Sequence, residues 1–165
     1  MRKRLSKNFS SLYKARNKFI ASQSTIQNNK FGSIKLSHGN LKFGLSKSEE
    51  IWLDRLGVIK RAVPVYGLPD PNTHKRKIYI VDGYDPTTNT IYEFLGDRWH
   101  GYPKKFNSLT YDKQLKTTYG QLYTDTVQRF YILHNLGYKI IFVWESNWKK
   151  GDAGRYYRGK GDTLL

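Results

Sequence analysis

The chain has 165 residues, no cysteine, and 29 lysines and arginines against 13 aspartates and glutamates, a formal charge of +16. Such a length suits one domain with an appendage, and the missing thiols exclude disulfides and thiolate zinc sites. The cationic excess directs attention to polyanions, nucleic acid first and an anionic membrane surface second.

Residues 1–45 hold ten basic residues and no acid, including Arg2, Lys3, Arg4, Lys14, Arg16 and Lys18. Apolar positions are too sparse for a core, so this stretch is expected to be an arm that tracks a phosphate backbone; the bland alternative is a solvated tail. The basic start MRKRLSKNFSS lacks the apolar core of a secretory signal. No apolar run in the chain approaches the roughly 20 residues that cross a bilayer, and no long basic amphipathic helix favours a membrane surface. A soluble, intracellular protein is the expectation.

From Ser46 the character changes. SKSEEIWLDRLG opens with a serine and a glutamate three residues on, the capping-box spacing. Trp52, Leu53 and Leu56 follow Glu49 on one helical face, and Gly57 supplies the stop. Val58–Tyr66 predicts a strand, with Pro64 suggesting an edge or bend. Lys77–Val81 and Thr90–Leu95 predict two more strands joined by turns, together an antiparallel meander. PKKFNSLTYDKQLKTTYGQ reads as a polar surface loop. Tyr123–Leu136 predicts a second helix, with Val127, Phe130, Tyr131 and Leu133 as its apolar face, and KIIFVWE a fully buried strand. The glycine-rich basic tail 151–165 is expected to fray. The order helix, three strands, helix, strand implies an α/β (α+β) domain over residues 46–150, with helices flanking a central mixed sheet.

The candidate chemistry lies in VDGYDPTTNTIYEFLGDRWHGYP, residues 81–103. Asp82 follows the apolar run IYIV, and Glu93 lies inside TIYEFL; carboxylates converging from neighbouring strands suit a divalent cation. Asp82-Gly83 could equally be a turn signal, and Glu93 could face solvent, although its apolar neighbours suggest a burial that would need a partner. His100, in the glycine-bounded turn after Glu93, is flanked by residues that would expose and orient its imidazole, and is a candidate general acid or base with its ordinary pKa near 6.5. Glu49 is either a cap alone or a cap that also reaches the site. His38, His74 and His134 show no metal-ligand spacing.

EFLGDRWHGYP resembles the signature of nucleases akin to the very-short-patch repair endonucleases, within the restriction-endonuclease-like, or PD-(D/E)xK, superfamily. The likeness extends through SKSEEIWLDRLG, VDGYDPTTNTIYEF and DTVQRFYILHNLGYKIIFVWESNW, covering about residues 46–148 in four ordered blocks. The resemblance implies a restriction-endonuclease-like core and a Mg²⁺-dependent (or Mn²⁺-dependent) endonuclease acting on duplex DNA. By position, Asp82 and Glu93 would hold the metal, His100 would be the catalytic histidine and Glu49 the helix glutamate. Leu95 stands where most of the superfamily has its catalytic lysine, which leaves the proton transfer to His100. Phage homing or mobile-element enzymes are the nearer type, which would place the protein in the cytoplasm of a bacterial or phage-infected cell. Mismatch or branched-DNA repair nucleases, or an inactive DNA-binding relative, are the alternatives. Arg98, Lys104 and Lys105 around the histidine turn would join the arm in binding DNA, and a homodimer would account for double-strand cleavage.

Overall fold

The computed structural model describes residues 46–69, 73 and 75–165; the expected basic arm and its six named cations lie outside the described residues. Helix α1 (Lys47–Arg55) starts where the capping box puts it: Ser46 Oγ accepts from Glu49 N–H at 3.2 Å, and the Glu49 side chain accepts from Ser46 N–H at 3.2 Å. Trp52 and Leu53 are buried as the spacing requires, whereas Leu56, the C-cap, is 38% exposed.

Three antiparallel strands follow, β1 (Lys60–Pro69), β2 (Arg76–Asp85) and β3 (Thr90–Leu95). β2 runs further than the sequence suggested, so Asp82 sits within the strand rather than at its end. The expected surface loop carries a small hairpin, β4 (Tyr111–Asp112) with β5 (Thr117–Thr118). Helix α2 (Tyr119–Asn135) begins four residues before its apolar pattern does, because the Thr118 hydroxyl accepts from Gln121 N–H and caps it there. Its buried face is Tyr119, Thr126, Phe130 and Leu133; Tyr131 instead faces outward. Strand β6 (Lys139–Trp144) then pairs parallel with β3 along its whole length, Thr90 opposite Lys139 and Leu95 opposite Trp144.

The tail does not fray. After a short helix α3 (Glu145–Trp148), strand β7 (Arg155–Tyr156) adds antiparallel to β6, giving a five-stranded mixed sheet in the order β1-β2-β3-β6-β7. Tyr157 and Leu164 are buried, the Trp52 indole N–H donates to Ala153 O at 2.9 Å, and the Trp144 indole N–H donates to Leu164 O. Composition suggested a frayed end, but two apolar anchors and two indole hydrogen bonds outweigh the glycines. One cluster (Trp52, Leu53, Val58, Phe94, Val143) packs α1 against the sheet, and Phe130 meets Phe142 and Tyr157 edge-on beneath α2. Among the described residues, no helix is long and apolar enough to cross a membrane.

Candidate active site

The site forms where β2 and β3 part. Their pairing runs from Asp85–Thr90 to Gly83–Tyr92 and stops there; one residue further, the Asp82 carboxylate accepts from Phe94 N–H at 2.7 Å, filling the gap with a side chain. The register sets Ala62 of β1 opposite Asp82, and Ala62 has φ 49°. A non-glycine residue in the left-handed region costs roughly 1–2 kcal/mol, a kind of strain that gathers at functional sites.

Three acids share this gap. Glu93 is 3% exposed and α2 supplies its partner, with Arg129 Nη2 2.6 Å from Glu93 Oε1. Burial pushes the Asp82 carboxyl well above the ordinary carboxylate range, and the charges of Glu93 and Glu49 push it further. Burial likewise raises Glu49, with Glu93 adding to the effect. Glu49 is the cap that the sequence offered, through one oxygen; its Oε1 is buried without a hydrogen-bond partner among the described residues, and its charge acts on Asp82. Burial raises Glu93 as well, and Arg129 opposes the rise.

His100 is carried by a turn that the surrounding chain fixes firmly. Its N–H donates to Gly96 O, and Tyr102 N–H donates to Asp97 O. The Asp97 carboxylate, 1% exposed, accepts from Ser146 N–H and the Ser146 hydroxyl and pairs with Lys105. Gly101 (φ +64°) is the one residue type that fits behind the histidine, since a Cβ there would lie 2.1 Å from Tyr119 O. Tyr102 stacks on Trp144 at 4.4 Å, and the His100 ring meets the same indole edge-on at 6.5 Å. The glycine-bounded turn suggested an exposed imidazole; the structure half-buries it, and Trp99 is the exposed neighbour.

The tautomer of His100 follows from its partner. His100 Nδ1 lies 3.0 Å from Thr126 Oγ1, and that hydroxyl donates its only proton to Leu122 O at 2.9 Å. Nδ1 must therefore carry the hydrogen and donate to Thr126, which leaves the Nε2 lone pair as the proton acceptor. Burial, with the nearby Arg129 charge, pushes the imidazole pKa down to about 4. At neutral pH the His100 ring is uncharged and its Nε2 is free to accept a proton, which favours the base role of the two read from the sequence.

Two of the three cations expected to contact DNA around the turn are engaged internally. The Arg98 guanidinium forms a two-point pair with Asp112 at 2.8 and 3.1 Å, which fastens the β4–β5 hairpin to the histidine turn. Lys105 is held by Asp97, and Lys104 is exposed. Leu95, at the lysine position, is fully buried. Arg129 and Thr126 are the two site residues that the sequence reading did not single out. Both lie on α2 one turn apart, where an i, i+3 spacing puts them on one face, but a threonine and an arginine in a helix carry no motif.

Among the described residues, no three histidine, aspartate or glutamate side chains stand together as a ready-made ligand set. The donor chemistry nonetheless fits a hard divalent cation. Asp82 is a carboxylate crowded by two others, and Glu49 presents a buried oxygen without a partner. No family model, curated protein or solved structure matches this chain.

Proposed function

We propose that the chain is a Mg²⁺- or Mn²⁺-dependent endonuclease that hydrolyses phosphodiester bonds in duplex DNA, with a restriction-endonuclease-like core akin to that of the very-short-patch repair enzymes. The observation that carries this reading is the mutual charge effect of Asp82, Glu93 and Glu49 where β2 and β3 part, with the Arg129 guanidinium acting on both Glu93 and the neutral His100, in a protein of charge +16. The four sequence blocks behind the resemblance are also linked: Glu49 of α1 interacts by charge with Asp82 and Glu93 of β2 and β3, Arg129 of α2 pairs with Glu93, and Thr126 of α2 and Trp144 of β6 hold the His100 ring.

Asp82 and Glu93 would hold the metal, with the free Glu49 oxygen beside them, and a bound divalent cation supplies Lewis-acid polarisation and charge neutralisation at the phosphoryl oxygens. His100 accepts a proton of the attacking water at Nε2 while Thr126 holds Nδ1–H; the water oxygen bonds to phosphorus as the bond to the leaving sugar oxygen breaks, and the leaving oxygen takes up a proton from solvent water. Arg129 supplies a fixed positive charge from α2 in a site whose usual lysine position is Leu95. A guanidinium cannot serve as a base, so its part is electrostatic. A phage homing or mobile-element role, and a homodimer for double-strand cleavage, belong to the same proposal.

Incubating the purified protein with plasmid and Mg²⁺, beside an EDTA control, tests the reading. Metal-dependent nicking or linearisation is the expected result. DNA binding without cleavage of any substrate, including junctions, flaps and DNA from its own source, would leave a silent DNA-binding protein of the same fold.

A further inference from the structure

The C-terminal loop is a built object with no part in the chemistry described so far. Tyr157 and Leu164 pin its two ends in the core, and Trp144 holds Leu164 O. Between them the Asp162 carboxylate organises the loop. It takes a two-point pair from Arg155, 2.8 Å at each oxygen, and accepts from Arg158 N–H at 2.9 Å and Leu164 N–H at 3.2 Å. The chain reverses through Gly159 (φ +94°) and Gly161 (φ +91°). A Cβ at Gly159 would lie 3.0 Å from His134 Nε2, so the loop is also seated against α2.

This clamp uses up one cation and leaves two. Arg155 is neutralised by Asp162, whereas Arg158 and Lys160 are exposed, and among the described residues neither forms an ion pair. Both line a concave pocket with Thr163 and Leu165, over the Arg155–Asp162 pair. The loop also lies close to the candidate catalytic centre: Leu164 O holds the indole N–H of Trp144, and the His100 ring packs on that same indole.

We propose that the loop is a preformed phosphate-binding platform, in which Arg158 and Lys160 grip the DNA backbone further along from the cleaved phosphate. The proposal rests on the nuclease reading for the identity of the polyanion. Three features support it. A loop held by its own carboxylate loses little conformational freedom on binding, so its cations act at a low ordering cost. A guanidinium and an ammonium on one rim can engage adjacent phosphates, the arginine through its planar fork. The buried Leu164 and the Trp144 indole separate the pocket from the His100 imidazole, so a duplex placed for attack at His100 can meet the loop further along its backbone. With Leu165 the one apolar side chain lining the pocket, the surface offers little apolar area for a lipid to enter, which favours DNA over an anionic membrane.

The test measures equilibrium binding of the full-length chain to duplex DNA in EDTA, where cleavage plays no part, as salt is varied. Each phosphate contact contributes about 0.9 to the slope of log K against log salt, so Arg158→Gln/Lys160→Gln should lower the slope by about 1.8. Raising salt from about 50 to about 200 mM should then cost the parent about tenfold more affinity than it costs the variant. Arg158→Lys should keep the parental slope, and an unchanged melting temperature should show that the clamp is intact. A parental slope in the double variant overturns the proposal and leaves the nuclease reading untouched. A parent that binds no duplex overturns both. A loss of binding to phosphatidylserine vesicles with DNA binding unaltered would assign the loop to a membrane and likewise overturn it.

Discussion

Substituting Arg129 by methionine isolates the electrostatics of the site. Glu93 is 3% exposed and, among the described residues, its one ionic partner is Arg129 at 2.6 Å, on a side chain that is itself 27% exposed. Removing one member of a buried pair strands the other, at a cost of roughly 3–5 kcal/mol. The partial exposure of Arg129 puts this pair at the lower end, about 3 kcal/mol, or on the order of ten degrees in melting temperature for a domain of this size. The pH dependence has a definite sign. Burial already raises the Glu93 carboxyl, and loss of the guanidinium raises it further. A raised carboxyl contributes stability below its unfolded value, about 4.3, and loses it as pH climbs through the folded value, so the deficit should widen from pH 5 to pH 8. Glu93→Gln added to Arg129→Met should recover a good part of the loss, since the stranded charge is gone. Scanning calorimetry of the three variants and the parent in EDTA at both pH values reads all of this. An Arg129→Met protein melting within two or so degrees of the parent at pH 8, or a double variant no more stable than the single, would refute the reasoning.

The same site yields further predictions. His100→Ala should retain Mg²⁺ and DNA binding in titration and lose roughly two or more orders of magnitude in single-turnover cleavage, the usual scale for an acid–base group. Asp82→Ala should lose the calorimetric signal of metal binding, whereas Asp82→Asn, still able to accept from Phe94 N–H, should melt higher than the parent in EDTA at pH 8 because one like charge is gone. Thr126→Val should leave the fold in place and erase the Nδ1–H preference of His100 in the nitrogen NMR spectrum, with a lower cleavage rate. The folded pKa of His100 is pushed down to about 4, so its neutral ring contributes stability above about 6.5 that is lost as pH falls towards 4; His100→Ala should flatten that part of the stability profile. Deleting residues 1–45 should lower the salt slope of DNA binding by about 0.9 for each phosphate the arm contacts, and an unchanged slope would make it a bystander.

Local signals carried a large share of this fold. The α1 cap, the meander, the buried β6 and the edge position of the proline-bearing β1 can be read from spacing and residue type within ten or so residues. What could not be read depends on partners far along the chain. Glu93 looked like a carboxylate in need of a metal, and its neighbour turned out to be Arg129, 36 positions later on a helix whose pattern marks only its apolar side. His100 looked exposed because glycines flank it, yet Gly101 is there to let the turn press against Tyr119. The tail looked frayed by composition, and two residues in fifteen, Tyr157 and Leu164, suffice to dock it. Exposure of a cation is also invisible in sequence: Arg98 is committed to Asp112, while Arg158 and Lys160, placed in a tail expected to fray, face outward.

The parallel pairing of β3 with β6 has a consequence for the order in which the molecule closes. β1 and β2 are six residues apart in the chain and β2 and β3 four, so their contacts need little loop-closure entropy. The β3–β6 ladder joins residues 90 and 139 and must wait for the hairpin and α2 between them. Asp82 and Glu93 therefore come together in the early, local part of the sheet, whereas Arg129 and Thr126 arrive with the late, long-range part. During folding the acids meet before the cation that offsets them, and protons or a divalent ion would stand in for it. Substitutions in the meander should accordingly slow folding, and those at the α2–β6 contact should chiefly hasten unfolding. Refolding should be faster at mildly acidic pH, or with Mg²⁺ present, than in EDTA at pH 8.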